Sequence, residues 1–266
     1  MVLLSGCAAN DRVIEPQPAK IHEVALKDPQ ARIDEIRADP VAYLQEVARN
    51  CSQLHQYTVE FTRFERRGLF RIMYGPEYIV CRFRHEPYSL HMKWLNEDIK
   101  YNESAYIAGE HDDKVRFITR WWSPPLSPPP TINEVALMTP VIWGEAKRPL
   151  NQWGVEQMVT RTLTSIAAAG DNVKLTYQNV LKLPQTETTV YHLHLEYSGS
   201  KYKVPIQELY INIDNDLPAG TVLKFASGQI DAAYYYKNLD ASVELTDDDF
   251  LLSVERENVE DVPADD

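Results

Sequence analysis

The chain has 266 residues and a mass of 30.6 kDa, and 44% of its residues are hydrophobic, which is enough for a sizeable core in one large or two small domains. Its net charge of −12 argues against nucleic acid as a partner and weakens the case for electrostatic binding to anionic lipid. No apolar run reaches the length of about 18 residues that a spanning helix needs, so any membrane attachment is expected to be peripheral.

The N-terminal run Leu-Ser-Gly-Cys at residues 4–7 resembles a bacterial lipoprotein signal box, in which a peptidase cuts before the cysteine and the thiol of Cys7 carries a diacylglycerol. The basic and long apolar segments of a complete signal are not seen before it. Either the true start therefore lies upstream and residues 1–7 are a signal-peptide remnant, or the box is accidental. The first alternative predicts a lipid anchor on the periplasmic side of the cell envelope. Because Ala8 rather than Asp follows the cysteine, the sorting signal resembles that of the outer membrane.

Residues 8–38 are predicted to form a tether, since they contain three prolines and no steady periodicity. A helix is predicted to follow, with Asp39 as its N-cap and Pro40 as its first residue. Apolar residues then recur at steps of three and four, which predicts an amphipathic helix: Val41, Leu44, Val47, Cys51 and Leu54.

From Tyr57 the period changes to two, which indicates antiparallel strands with one buried and one wet face. The alternation is clearest at 57–62, 79–84 and 88–94, and further strands are expected near 104–110 and 114–121.

Five prolines in Ser123–Pro130 interrupt this pattern, because proline cannot donate to a sheet ladder. The run is predicted to be an irregular loop, with a docking segment for a partner protein as the alternative. A short helix is expected over 132–138.

The second half repeats the order of a helix followed by strands. Helical spacing over 154–169 ends at Gly170, a residue favoured just after helices. Strands are expected near 173–177, 191–197, 209–213, 223–225 and 232–239. Residues 253–266 are predicted to be an acidic tail without stable structure.

These elements predict an α+β fold over residues 39–252. An amphipathic helix needs a surface that covers its apolar stripe. The expected architecture is therefore a strongly curved antiparallel sheet, an open half-barrel, wrapped around two or more amphipathic helices.

The sequence contains no recognised catalytic motif and no glycine-rich phosphate loop, so we expect neither an enzyme nor a cofactor. His192 and His194 share one strand face, but it is the face opposite Leu193 and Leu195, and no third ligand can be named for a zinc ion. We therefore expect no metal site. Glu60, Glu65 and the acidic run 247–249 are better explained by structure than by catalysis.

Cys51 and Cys81 leave two alternatives open. In an exported protein they could form a disulfide, and equally they could be buried free thiols.

The most suggestive functional residues are large and apolar. If the sheet is incompletely filled by its helices, these side chains would line a cavity for acyl chains, to which methionine adapts well: Leu90, Met92, Trp94, Trp153 and Met158. A solid core is the competing interpretation.

Several segments together resemble an uncharacterised bacterial domain family that is often exported. These are Tyr57–Arg66, Val80–Leu90, Ala105–Gly109, Arg148–Val155 and Ala233–Leu239, and the resemblance extends over about residues 40–252. The fold of this family is similar to that of the periplasmic lipoprotein carriers and their outer-membrane receptors. The resemblance implies a half-barrel with a hydrophobic cavity that accepts acyl chains without covalent chemistry.

The sequence thus predicts a non-enzymatic, membrane-anchored envelope lipoprotein that binds a lipid or lipoprotein acyl chain. The alternative is a structural lipoprotein that docks envelope proteins without a lipid ligand. The proline run and the acidic end depart from the simple carriers.

Overall fold

In the computed structural model of the protein, residues 30–120 and 131–260 are described. Cys7, most of the predicted tether, the run Ser123–Pro130 and the end of the acidic tail lie outside these ranges.

Eleven strands form one antiparallel sheet, in the order β6-β5-β4-β3-β2-β1-β11-β10-β9-β8-β7. The strands are β1 Gln56–Arg67, β2 Ile72–Arg84, β3 Ser89–Trp94, β4 Tyr101–Ile107, β5 Lys114–Thr119, β6 Ile132–Ala136, β7 Val173–Leu183, β8 Thr188–Tyr197, β9 Ile206–Asn212, β10 Pro218–Lys224 and β11 Ile230–Asp240. The sheet does not close, since β6 and β7 are its two edges. The predicted α+β class and the open antiparallel sheet are confirmed.

Five α-helices are described: α1 Gln30–Ala38, α2 Pro40–Ser52, α3 Thr139–Ile142, α4 Val155–Ala169 and α5 Ser253–Glu260. Helix α2 begins as predicted, because the Asp39 carboxylate accepts hydrogen bonds from the backbone N–H of Val41 and Ala42. Helix α4 ends at Gly170, which has a φ of +53°.

The main core lies between the helices and one face of the sheet, here called the inner face. Leu44 and Val47 of α2 and Val155 and Val159 of α4 are buried there. The inner-face side chains of both halves of the sheet join the same cluster, so the helices and the sheet share one core.

The opposite face of the sheet, here called the outer face, is not uniformly wet, contrary to the sequence prediction. A second buried cluster occupies it in the region of β1, β2 and β7–β11: Phe64, Met73, Leu181, Leu183, Val190, Ala219, Val222, Ala233 and Tyr235. The alternation in β11 explains how both faces are apolar, because Tyr235 belongs to this cluster while Tyr236 belongs to the main core.

Residues 30–38, predicted to be part of the tether, form helix α1. Only Ile33 and Ile36 supply its buried side, which is too few to produce a clear period. The helix is held instead by Arg32, which donates to Glu46 on α2 and to Asp216 in the β9–β10 turn. Such distant partners leave no local signal in the sequence.

The short helix predicted over 132–138 is wrong, because Ile132–Ala136 is the edge strand β6. It pairs with β5 through Val115 and Val135. The tail prediction is also wrong in part, since Ser253–Glu260 is helical and Arg116, which is buried, donates to Glu255.

Candidate ligand-binding cavity

A cavity of about 630 Å³ lies between the inner face and two covering segments, helix α4 and residues 146–154. Strands β1, β3, β9, β10 and β11 all contribute lining residues. This volume falls within the range of about 300–1,000 Å³ that is usual for small-molecule sites.

Three of the five predicted cavity residues line this cavity: Met92, Trp153 and Met158. Leu90 and Trp94 do not, although they share a strand face with Met92. Leu90 is fully buried in the core, and the indole Nε1 of Trp94 donates to Glu77 at 2.8 Å.

The apolar wall of the cavity is aromatic. Trp153 makes edge contacts with Phe61 at 5.6 Å and with Tyr236 at 6.4 Å between ring centroids, and Phe61 stacks on Tyr234 at 6.0 Å. The alternation of β1 and β11 indicates which of their residues share a face. The sequence does not show that β1 and β11 are neighbours, and this is why these rings were missed.

Buried charged side chains lie next to the aromatic wall of the cavity. Glu77 accepts hydrogen bonds from Arg63 at 2.6 Å, from Arg67 at 2.5 Å and from Trp94. Burial by itself would raise the pKa of Glu77, but the two guanidinium groups and the indole N–H hold it at about 2. Glu77 is therefore a carboxylate, and it fixes the position of Arg63 in the cavity wall.

Glu65 forms a second polar point in the same wall. It accepts a hydrogen bond from the Tyr234 hydroxyl at 2.5 Å and another from Arg67 at 3.0 Å. Burial and the neighbouring carboxylate raise the pKa of Tyr234 well above its usual value, so the hydroxyl stays protonated and donates.

The far wall contains a hydrogen-bonded polar group without charge. The side-chain amide of Gln207 donates to Thr162 on α4 at 3.0 Å and to Thr221 on β10 at 3.2 Å, and the Thr221 hydroxyl donates to the Glu208 carbonyl. These bonds tie α4 to the sheet and leave no charge on this wall.

Two arginines on the covering side have no carboxylate partner among the described residues. Arg148 is exposed, and Arg161 donates only to the carbonyl of Gln152, at 2.5 Å. Burial lowers the pKa of Arg161, and the charge of Arg148 lowers it further, which indicates that the two cations are near each other. By contrast, Lys147 is paired with Asp231 at 2.5 Å.

Two nitrogen donors of the lining residues are buried without an acceptor in the part of the chain that the structure describes. They are Nε of Arg63 and Nε1 of Trp153. Both atoms are covered by other protein atoms, so in this conformation they are not available to a ligand in the cavity.

His192 and His194 lie on the outer face, as predicted, but they are partly buried rather than fully solvated. Both contact one oxygen of Glu208, at 2.8 and 3.0 Å, and Lys224 contacts the other at 3.0 Å. Burial opposes ionisation of Glu208, yet these partners hold its pKa at about 2. The described residues contain no group with the arrangement of a metal site.

Cys51 and Cys81 are both free and both buried. The sequence left two alternatives open, and the structure agrees with the second, in which both cysteines are buried free thiols. Burial raises the pKa of Cys51 to about 12 and that of Cys81 well above its usual value, so neither is a reactive thiolate.

As for the helices in the described ranges, none has the length and apolarity to span a membrane.

The fold and cavity define an α+β protein in which an open antiparallel sheet, helix α4 and residues 146–154 border a ligand-sized space. The profile of a protein family of unknown function, DUF1571, matches residues 54–256, and the chain belongs to that family. This confirms the expected membership of an uncharacterised family. No protein of curated function matches the sequence.

Several solved structures are similar at low sequence identity. MucB has 14% identity and a TM-score of 0.48 over 82% of this chain and 64% of MucB, so the chain spans less than two thirds of MucB. The Mycobacterium tuberculosis lipoprotein LppX has 10% identity and a TM-score of 0.45, over 78% of this chain and 100% of LppX. A putative outer membrane lipoprotein-sorting protein domain from Vibrio parahaemolyticus has 7% identity and a TM-score of 0.34, over 82% of this chain and 97% of that domain.

Proposed function

We propose that this protein is a non-enzymatic binder of acyl chains, and that its preferred ligand is a lipid with an acidic head group. The observation that carries the proposal is the pairing, in one cavity of about 630 Å³, of an apolar wall with two cations that have no carboxylate partner in the described ranges. A fully apolar ligand would leave these cations unused, and a fully polar ligand would leave the aromatic wall unused.

The acyl chain would lie against Met92, Trp153 and Met158. Each methylene removed from water contributes about 0.8 kcal/mol, so a fatty chain supplies most of the affinity. Methionine side chains repack around chains of different length and shape, which suits a site that accepts a class of lipids.

The acidic head group would lie at Arg148 and Arg161. Guanidinium groups bind carboxylate and phosphate through two parallel hydrogen bonds. Arg161 is half-buried in the cavity wall and Arg148 is exposed, so this pair marks the side from which a ligand enters.

The remaining parts of the proposal concern shape and location. The sheet is proposed to curve as an open half-barrel around the cavity, and Cys7 is proposed to carry a lipid anchor at the outer membrane, on the periplasmic side. Residues 8–29 would then be the tether between the anchor and helix α1.

The test is native mass spectrometry of the full chain with palmitate and with lysophosphatidylglycerol, each added from solution. We expect one bound molecule per chain, and a mass that disappears on denaturation. The double variant Arg148→Gln, Arg161→Gln should weaken binding of both probes about tenfold, because the charge-assisted hydrogen bonds are lost.

The control is Arg49→Gln, which removes an exposed cation from helix α2, outside the cavity. It should bind both probes as the wild type does. A chain that takes up neither probe would overturn the proposal and favour the protein-docking alternative, in which partners bind through the outer surface and Ser123–Pro130.

A further inference from the structure

Exposed large hydrophobic side chains are concentrated in two places. Nine such side chains are exposed in the described parts of the chain, and eight of them belong to residues 69–78 or 138–143: Leu69, Phe70, Ile72, Tyr74, Tyr78, Met138, Ile142 and Trp143. The most exposed are Leu69 at 91%, Phe70 at 83% and Ile142 at 77%. Single exposed apolar residues are ordinary, but a concentration of this kind marks an interaction surface.

The two places are one surface. Leu69 and Phe70 form the turn between β1 and β2, and Ile142 and Trp143 end helix α3. A Cβ atom on Gly144 would lie 3.6 Å from the backbone nitrogen of Gly68, so the two turns pack backbone against backbone. We call Leu69, Phe70, Ile142 and Trp143 together the apolar tip.

The shape and charge of the apolar tip favour a lipid surface as its occupant. It is a protrusion made of two turns rather than a groove, with a tryptophan beside aliphatic side chains, the composition that is favoured at membrane interfaces. Of the arginines next to the hairpin turn, Arg67 is held by Glu65 and Glu77, whereas Arg71 is exposed. Arg71 lies over the Phe225 ring at 5.4 Å, which keeps a cation at the base of the tip that is available to pair with a lipid phosphate.

The apolar tip is also continuous with the cavity. Only Gly144 and Glu145 separate Trp143 from Ala146, the first residue of the covering segment that lines the cavity. On the other side, Glu65 of the cavity wall and the tip residue Leu69 belong to the same hairpin. A molecule bound at the apolar tip would therefore lie next to the part of the cavity where Arg148 is found.

We propose that the apolar tip inserts into the head-group region of a lipid bilayer and holds the entrance of the cavity against the membrane. This contact is made by the folded domain itself and is separate from a lipid anchor on Cys7. Its role beside the cavity rests on the proposed function, whereas the insertion itself does not require a bound ligand.

The first measurement uses a polarity-sensitive fluorophore on a single cysteine. The full chain carrying Cys7→Ser has only the buried Cys51 and Cys81, so Leu69→Cys supplies the accessible thiol. With vesicles of phosphatidylethanolamine and phosphatidylglycerol, the emission of the label should shift to the blue. A label at Ser242→Cys, exposed in the loop that follows β11 at the opposite end of the sheet, should not respond.

The second measurement is co-sedimentation of unlabelled protein with the same vesicles. Leu69→Ser with Phe70→Ser should reduce the partition coefficient about tenfold, because two apolar side chains no longer leave water. Leu69→Met with Phe70→Leu keeps the apolar character and should bind like the parent chain. Since these side chains are exposed, both variants should retain the wild-type unfolding midpoint.

An unshifted Leu69→Cys label would overturn the inference, and so would equal sedimentation of the serine and wild-type proteins. In either case a protein becomes the candidate occupant of the tip. The result is distinguishable from failure of the proposed function, because the serine variant should still bind palmitate delivered from solution. If the chain binds vesicles but takes up no palmitate, the result would support membrane insertion of the apolar tip and overturn the proposed ligand-binding function.

Discussion

Glu77 shows how a single buried carboxylate organises one wall of the cavity. It is 2% exposed and accepts hydrogen bonds from Arg63, Arg67 and Trp94. Removing the negative charge of such a residue leaves buried cations without compensation, which costs more than the net contribution of the ion pair itself.

The Glu77→Gln substitution should lower the free energy of unfolding by about 3 kcal/mol, because Arg63 and Arg67 lose their shared carboxylate. Urea denaturation monitored by circular dichroism measures this loss. The control is Glu60→Gln, an exposed residue that accepts one hydrogen bond from Asn238, and its effect should stay within about 0.5 kcal/mol. Equal effects of the two substitutions would show that the buried network contributes little.

Ser165 offers a way to fill the cavity from helix α4. It is an exposed lining residue, while the adjacent Thr164 is exposed and outside the lining. Ser165→Trp should reduce palmitate binding at least about tenfold by occupying the acyl space, whereas Thr164→Trp should leave it unchanged. Native mass spectrometry gives both values, and unaltered binding by Ser165→Trp would place the ligand elsewhere.

At the level of single residues, the sequence predicted part of the candidate site. Met92, Trp153 and Met158 were found because large apolar residues near a predicted strand and helix favour a core or a cavity. Glu77 and Arg161 were not, because a charged residue has no periodic signal that distinguishes a buried network from a solvated surface.

Among the elements, the β1–β2 hairpin depends on one close backbone approach. Gly75 has a φ of +112°, and a Cβ atom there would overlap the carbonyl oxygen of Arg63 on the neighbouring strand. The register of the pair shifts at this point, between Arg63 and Glu65. Glycine is therefore required both by conformation and by space.

Gly75→Ala should destabilise the protein by roughly 3 kcal/mol, from the strained φ together with the overlap. Gly228→Ala is the matched control, because Gly228 has a φ of +84° but nothing within 4 Å of its added Cβ, so only the conformational cost of about 1 kcal/mol remains. Thermal unfolding compares the two. If both substitutions cost the same, the overlap at Gly75 is relieved by a backbone shift.

Most helices and strands were predictable because hydrophobic periodicity and helix caps are local signals in the sequence. Helices α2 and α4 and most strands show one or both of these signals. Helix α1 was missed because distant ion pairs hold it, and β6 was predicted as a helix because its five residues are too short for the two periods to differ clearly.

For the whole molecule, buried ionisable groups set the response to acid. Burial opposes ionisation of Glu77, Glu103 and Glu208, but their partners lower each pKa from an ordinary 4.5 to about 2. A depressed folded-state pKa contributes stability that is present above the unfolded value and lost as the pH falls toward the folded value. Burial lowers the pKa of His91 from 6.5, so the stability that its neutral form contributes is present above pH 6.5 and is lost as the pH falls.

The urea midpoint should therefore decline gently below pH 6.5 and steeply between pH 4.5 and about 2. The Glu77→Gln variant should show a shallower decline in the lower window, since one of the three carboxylates is gone. A midpoint that rises as the pH falls from 4.5 would contradict this assignment.

The strand order has a kinetic consequence. Strands β1–β6 and β7–β11 are two meanders of sequential hairpins, and they meet only where β1 pairs with β11. Glu65 and Tyr234, which are hydrogen-bonded across this junction, are 169 positions apart in the chain. Closing so long a loop is entropically unfavourable, so the hairpins should form first and the junction last.

Phe61 comes from one meander and Gln207 from the other, so the cavity exists only once the junction has closed. A ligand that binds the cavity would then slow the opening of the two halves, and occupancy would lengthen the lifetime of the folded state.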